Sequence, residues 1–144
     1  MAYKGRFSPQ NKDKYRGDPT TIVYRSSWER QVMKYFDENP SVLEWSSEEI
    51  VVPYVSKLDR KRHRYYVDFW CRLIDASGIT KTYLIEVKPE AQTVRPPRPK
   101  KITSVYKRNL ARYLVNESKW EAAIDFCEEK GWEFRILTER HLFK

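Results

Sequence analysis

The stretch Tyr65-Tyr66-Val67-Asp68-Phe69-Trp70-Cys71-Arg72-Leu73-Ile74, then Asp75-Ala76-Ser77-Gly78, then Thr80-Lys81-Thr82-Tyr83-Leu84-Ile85-Glu86-Val87-Lys88, decides the fold. Both arms are rich in aromatic and β-branched residues, which suit a pleated surface, and the segment between them is a turn signal. A hairpin of strands over 64–74 and 80–87 is therefore expected. Downstream, 88–99 contains prolines at 89, 96, 97 and 99, which lack amide donors, so this segment is a loop. Residues 102–115 read as a basic amphipathic helix, and Ser118-Lys119-Trp120-Glu121 matches the capping box of a second helix that ends at Lys130-Gly131. Residues 132–137 return as a strand, and the crossover lays it parallel to 80–87. Upstream, Ser26 or Ser27 caps a helix over about 27–38, in which Trp28, Val32 and Tyr35/Phe36 recur at helical spacing until Asn39-Pro40 stops it. Short strands are expected at 42–45 and 50–55. The order α-β-β-β-α-α-β describes an α/β fold, a mixed β-sheet flanked by helices.

With 144 residues the chain has the size of one ordinary domain. Residues 1–20 are polar and basic, with Tyr3, Phe7 and Tyr15 as their large apolar groups, and read as an extended N-terminal arm before a domain over 21–144. A content of 40% hydrophobic and 15% aromatic residues excludes wholesale disorder. No apolar run approaches the roughly 20 residues of a membrane span, and the start lacks a signal peptide's apolar stretch. A soluble, cytoplasm-made protein without a membrane partner is expected. Cys71 and Cys127 are too few for a disulfide framework and read as buried thiols.

The formal net charge of +8 is unevenly spread: residues 1–34 carry +5, 35–55 carry −5, 56–65 carry +4 and 88–112 carry +7. Basic blocks of this kind suit a polyanion such as DNA. Lys107, Arg108 and Arg112 on the basic helix either track phosphates or form its solvent face. Arg25 is either a phosphate clamp or an ion-pair partner of the acidic segment.

Strand alternation places Leu84, Glu86 and Lys88 on one face, opposite Tyr83, Ile85 and Val87. Asp68 stands among aromatic and β-branched neighbours, where an unpaired charge is costly. A divalent cation gives it a reason: Mg²⁺, or Mn²⁺ in its place, takes oxygen ligands and is commonly held by one or two carboxylates plus substrate phosphate. Asp68 and Glu86 can supply them, with the Val87 carbonyl as a third ligand. Lys88 can then orient or deprotonate an attacking water and stabilise charge on phosphorus oxygens. The alternative, that Glu86 and Lys88 form a surface ion pair and Asp68 bridges Arg64 or Arg72, stays open on the residues alone.

The order of Trp28-Glu29, Val67-Asp68 and Ile85-Glu86-Val87-Lys88 resembles the PD-(D/E)xK nuclease superfamily. With Tyr24-Arg25-Ser26-Ser27-Trp28-Glu29 it resembles the branch containing the endonuclease subunit of heteromeric transposases. Met1-Ala2-Tyr3, Lys14-Tyr15-Arg16-Gly17-Asp18-Pro19, Ile85-Glu86-Val87-Lys88-Pro89 and Phe134-Arg135-Ile136-Leu137-Thr138-Glu139 extend the similarity to the head-completion nucleases of tailed phages. The resemblance implies a restriction-endonuclease-like core and a Mg²⁺-dependent deoxyribonuclease in which Glu29, Asp68, Glu86 and Lys88 are catalytic. It also implies action after genome packaging, readying the head for tail attachment. The implied partners are DNA and phage head, portal or neck proteins, and the implied location is the host cytoplasm during assembly, then the virion. Val67 stands where the superfamily's name has Pro, a difference of backbone shape rather than of ligation. A catalytically silent head-completion or DNA-end-binding protein on the same fold is the alternative function, and the four intact positions favour the enzyme.

Overall fold

The computed structural model describes residues 2–143, with side chains from Lys4 onward; the Tyr3 ring lies outside the described residues. In chain order the elements are β1 (Ala2–Arg6), β2 (Val23–Ser26), α1 (Ser27–Glu38), β3 (Val42–Ser47), β4 (Val51–Val55), β5 (Arg62–Tyr66), β6 (Phe69–Ile74), β7 (Thr80–Val87), α2 (Ser104–Lys130), β8 (Glu133–Leu137) and α3 (Glu139–Leu142). Short 3-10 turns lie at Lys12–Lys14 and Glu90–Gln92, the second inside the proline-rich loop.

A four-stranded sheet in the order β3-β6-β7-β8 forms the centre. The β6–β7 hairpin is antiparallel, and β8 returns parallel to β7 through the α2 crossover, as the pattern predicts. The hairpin turn closes because the Asp75 carboxylate accepts the Ser77 and Ile79 N–H groups and Gly78 takes φ 80°, a conformation that favours glycine. On one face of the sheet, Val32, Met33 and Phe36 of α1 pack with Trp45, Phe69, Cys71 and Ile85. On the other, Trp120, Ala123 and Cys127 of α2 pack with Leu84 and with Val52, Tyr54 and Tyr65. Both cysteines are buried free thiols, as expected. This is the mixed α/β sheet flanked by helices that the sequence pattern predicts.

The expected strand over 64–74 is two strands. β5 pairs with β4 in a separate two-stranded ribbon, and β6 joins the central sheet. Tyr65 and Val67 are buried in the α2-side core, whereas Phe69 and Cys71 are buried in the α1-side core. In one continuous strand these odd-numbered residues share a face, so the chain must break and change faces between them. The break falls at Asp68.

The two helices expected over 102–115 and 118–130 are one continuous α2. Nothing in 116–118 breaks a helix, and Ser118 is not a cap: its hydroxyl donates to the Leu114 carbonyl and accepts the Lys57 N–H. Thr103 caps the true start, and Gly131, at φ 72°, ends the helix.

The segment expected as an arm lies on the body of the protein. β1 pairs antiparallel with β2, and Tyr15 is buried edge-on to Trp45 at 4.7 Å, with Phe7 at 5.9 Å from the same ring. The buried Asp37 carboxylate accepts the Gln10 and Asn11 N–H groups at 2.8 and 2.9 Å, and the Lys14 ammonium donates to the Asp37 and Asn39 carbonyls. Phe7 and Tyr15 are thus engaged by Trp45 of the same chain rather than carried on an extended arm. Among the described residues, no helix is long and apolar enough to cross a membrane.

Candidate active site

The break between β5 and β6 sets the geometry. Phe69 pairs with Ile85 in the β6–β7 ladder, and one step beyond this register Asp68 stands opposite Glu86, a cross-strand position on the same face. Asp68 Oδ2 accepts the Val87 N–H at 2.8 Å, and its carbonyl accepts the Glu48 N–H at 3.1 Å. Glu48 itself has φ 54°, a left-handed conformation that non-glycine residues adopt at a cost, and it holds the chain at this corner. Glu86 is 4% exposed, and its Oε1 accepts the Tyr65 hydroxyl at 2.8 Å. The Lys88 ammonium lies 3.8 Å from Glu86 Oε2.

Burial and the Glu86 charge, with a further contribution from Glu29, push the Asp68 carboxyl well above its ordinary range, against the lowering effect of the Val87 hydrogen bond. Burial and the Glu86 and Asp68 carboxylates drive the Tyr65 phenol far upward, so Tyr65 remains a donor to Glu86. The site therefore sets a half-buried acid, Asp68, beside a buried one, Glu86, and a proton or a cation between them would relieve their repulsion. That donor set fits a divalent ion, with Asp68 and Glu86 as its carboxylates and Val87 fixed beside them by its N–H.

Glu29 occupies the first turn of α1, where Ser26 Oγ accepts its N–H and its Oε1 accepts the Arg25 N–H at 3.2 Å. Burial raises its carboxyl; the Arg25 hydrogen bond and charge lower it, Glu86 raises it and Lys88 lowers it. Glu29 and Lys88 line one cleft of about 350 Å³ with Ser26, Trp28, Val87 and Gln92. Among the described residues no three His, Cys, Asp or Glu side chains are grouped as a metal centre, and Glu29 lies near enough to Asp68 and Glu86 for their charges to interact.

Lys107, Arg108 and Arg112 are exposed on the N-terminal half of α2. Arg112 lines a second cleft with Pro89, Gln92, Pro96 and Pro97, and Pro89 and Gln92 also line the first, so the basic helix adjoins the site. Arg25 is engaged in an ion pair with Glu48, the second of its two readings. Arg72 and Arg16 both pair with Glu44, and Arg72 therefore does not bridge Asp68. Sequence reasoning missed Tyr65 as a partner of Glu86. The available signal was its position three residues before Asp68 on the buried side of an otherwise exposed strand.

A pH dependence follows. Because Asp68 holds its proton more tightly folded than unfolded, this contribution to stability is fully present below the unfolded carboxyl value of about 3.9 and is lost as pH rises through the raised folded value. In EDTA, thermal melting of the wild type should decline over that rise relative to Asp68→Asn, and parallel pH profiles for the two would contradict it.

A restriction-endonuclease-like fold with an acidic pair and a lysine at the end of the central hairpin defines the class, and comparison with known proteins agrees. Residues 39–139 match the family model described as the TnsA-like endonuclease N-terminal domain. The chain belongs to this endonuclease family. It is similar to the head completion nuclease of Enterobacteria phage T4, 41% identical over 143 residues that cover 96% of this chain and 93% of that protein.

Proposed function

We propose that the chain is a divalent-metal-dependent DNA endonuclease that helps complete phage heads after packaging. The observation that carries this reading is the Asp68–Glu86 pair beside Lys88, which lines a cleft, on a fold whose family is endonucleolytic. The 41%-identical relative supports the head-completion role; head, portal or neck proteins as partners, and the host cytoplasm, then the virion, as location, belong to the proposal.

Asp68 and Glu86, with the Val87 carbonyl, would hold a divalent ion such as Mg²⁺ or Mn²⁺. Bound there, the ion supplies Lewis-acid charge to the scissile phosphate and acidifies water. Tyr65 fixes the Glu86 rotamer through its hydroxyl, and the Val87 N–H does the same for Asp68. Lys88 receives the proton from the attacking water's oxygen or holds that oxygen in line; as this oxygen bonds to phosphorus the P–O bond to the leaving sugar oxygen breaks, that oxygen takes a proton from solvent, and the Lys88 charge stabilises the negative charge growing on the phosphorus oxygens. Glu29, raised by burial, stands in the same cleft as a second proton-handling group. Lys107, Arg108 and Arg112 bind backbone phosphates and lead the duplex to the cleft.

Incubating the protein with supercoiled plasmid in Mg²⁺ or Mn²⁺ should give nicked and linear products, and EDTA should stop the reaction. Lys88→Ala should lower the turnover rate by about 10²–10⁴-fold while the metal concentration for half-maximal rate changes little. A Lys88→Ala enzyme with wild-type turnover would remove Lys88 from the reaction.

A further inference from the structure

We infer that the β4–β5 ribbon is a second DNA-contacting surface, a clamp on duplex phosphates leading into the active site; this rests on the endonuclease reading. The ribbon is not part of the central sheet. One face, Val52, Tyr54 and Tyr65, is buried against α2. The register Val51↔Tyr66, Pro53↔Arg64, Val55↔Arg62 puts the other set of side chains together on the outer face, all of them exposed.

Three observations favour a polyanion there. The side chains of Arg62 and Arg64 make no ion pair or hydrogen bond among the described residues, and neither does that of Arg60 at the ribbon's turn, whereas Arg16, Arg25, Arg72 and Lys57 are all paired with acids. Uncompensated arginines on a rigid strand present their full charge to a ligand without first breaking an internal pair. Second, same-face residues two apart on a strand stand about 6.7 Å apart, far enough for Arg62 and Arg64 to hold separate phosphates. Tyr66, 48% exposed on the same face, adds a hydroxyl and a ring. Third, the ribbon is tied to the site through its backbone: Tyr65, on the opposite, buried face, bonds Glu86, and two residues after Tyr66 the chain reaches Asp68. A duplex held on the ribbon is thereby referred to the scissile position through a short run of backbone. A two-stranded ribbon is also an element that a DNA groove admits.

The test is binding of a fluorescent DNA duplex to full-length protein in EDTA, over a range of salt, so that hydrolysis plays no part. Arg62→Ala/Arg64→Ala should weaken binding by about tenfold or more and make the log–log salt slope shallower by about 1.8, or about 0.9 for each phosphate that is no longer neutralised. Lys12→Ala/Lys34→Ala, which removes the same charge from exposed positions on the α1 side, should leave both nearly unchanged. Circular dichroism melts check that each variant is folded, and Arg62→Lys/Arg64→Lys should restore most of the slope. Unchanged affinity and slope in the double alanine variant would overturn the clamp and leave the outer face to a protein partner. Equal weakening in the Lys12/Lys34 control would also overturn it, since net charge alone would then suffice. Plasmid cleavage by the wild type reports separately on the endonuclease reading, so a failed clamp with intact cleavage is distinguishable from a failed nuclease.

Discussion

Asp68→Asn should abolish plasmid cleavage while making the metal-free protein more resistant to heat. The amide keeps an oxygen to accept the Val87 N–H, so the local backbone stays anchored, but it removes one of two neighbouring charges that oppose each other. The loss of rate should be at least about 10³-fold, because the ion's charge at the phosphate is worth several kcal/mol. Asp68→Ala should be equally inactive but gain less stability, since it leaves the Val87 N–H without its acceptor. The opposite directions of activity and stability separate a functional acid from a structural one. A carboxylate retained for folding would lose stability on substitution. Cleavage at the wild-type rate by Asp68→Asn would remove the residue from the reaction.

Deleting residues 2–16 should unfold the protein at ordinary temperature. Phe7 and Tyr15 pack on Trp45, which is itself fully buried, and removing a buried aromatic side chain typically costs about 3–5 kcal/mol. The deletion also takes both backbone donors from the buried Asp37 carboxylate, each unmet group adding about 1–3 kcal/mol. Together these approach the whole stability of a typical domain, about 5–15 kcal/mol. Tyr15→Ala alone should lower the melting temperature markedly. A truncated protein that melts within a few degrees of the full chain would show that the segment is dispensable for folding.

Much of this architecture was readable in local signals. Ser26 and Asn39-Pro40 bound α1, Asp75-Ala76-Ser77-Gly78 makes the hairpin, and Gly131 ends α2. What was not readable depends on contacts distant in sequence. Residues 64–74 carry an unbroken strand-like pattern, and only the presence of two cores on opposite faces of the sheet requires the break at Asp68. Ser118 carries a cap's chemistry, yet its hydroxyl is satisfied by Leu114 and by Lys57, 61 positions away. Tyr15 and Phe7 look isolated in sequence because Trp45, their partner, lies far along the chain. The acid pair itself was legible from alternation on the second strand and from an acid without a local reason on the first. The contribution of Tyr65 depended on β5 leaving the central sheet, which no local pattern announces.

The most direct test of the central claim is anomalous X-ray diffraction from crystals of the protein equilibrated with Mn²⁺. A manganese peak bound by carboxylate oxygens of both Asp68 and Glu86, with the Val87 carbonyl beside it, is expected, and no peak there in Asp68→Asn. A peak elsewhere with none between these two side chains, from crystals of a protein that cleaves plasmid with Mn²⁺, would contradict it.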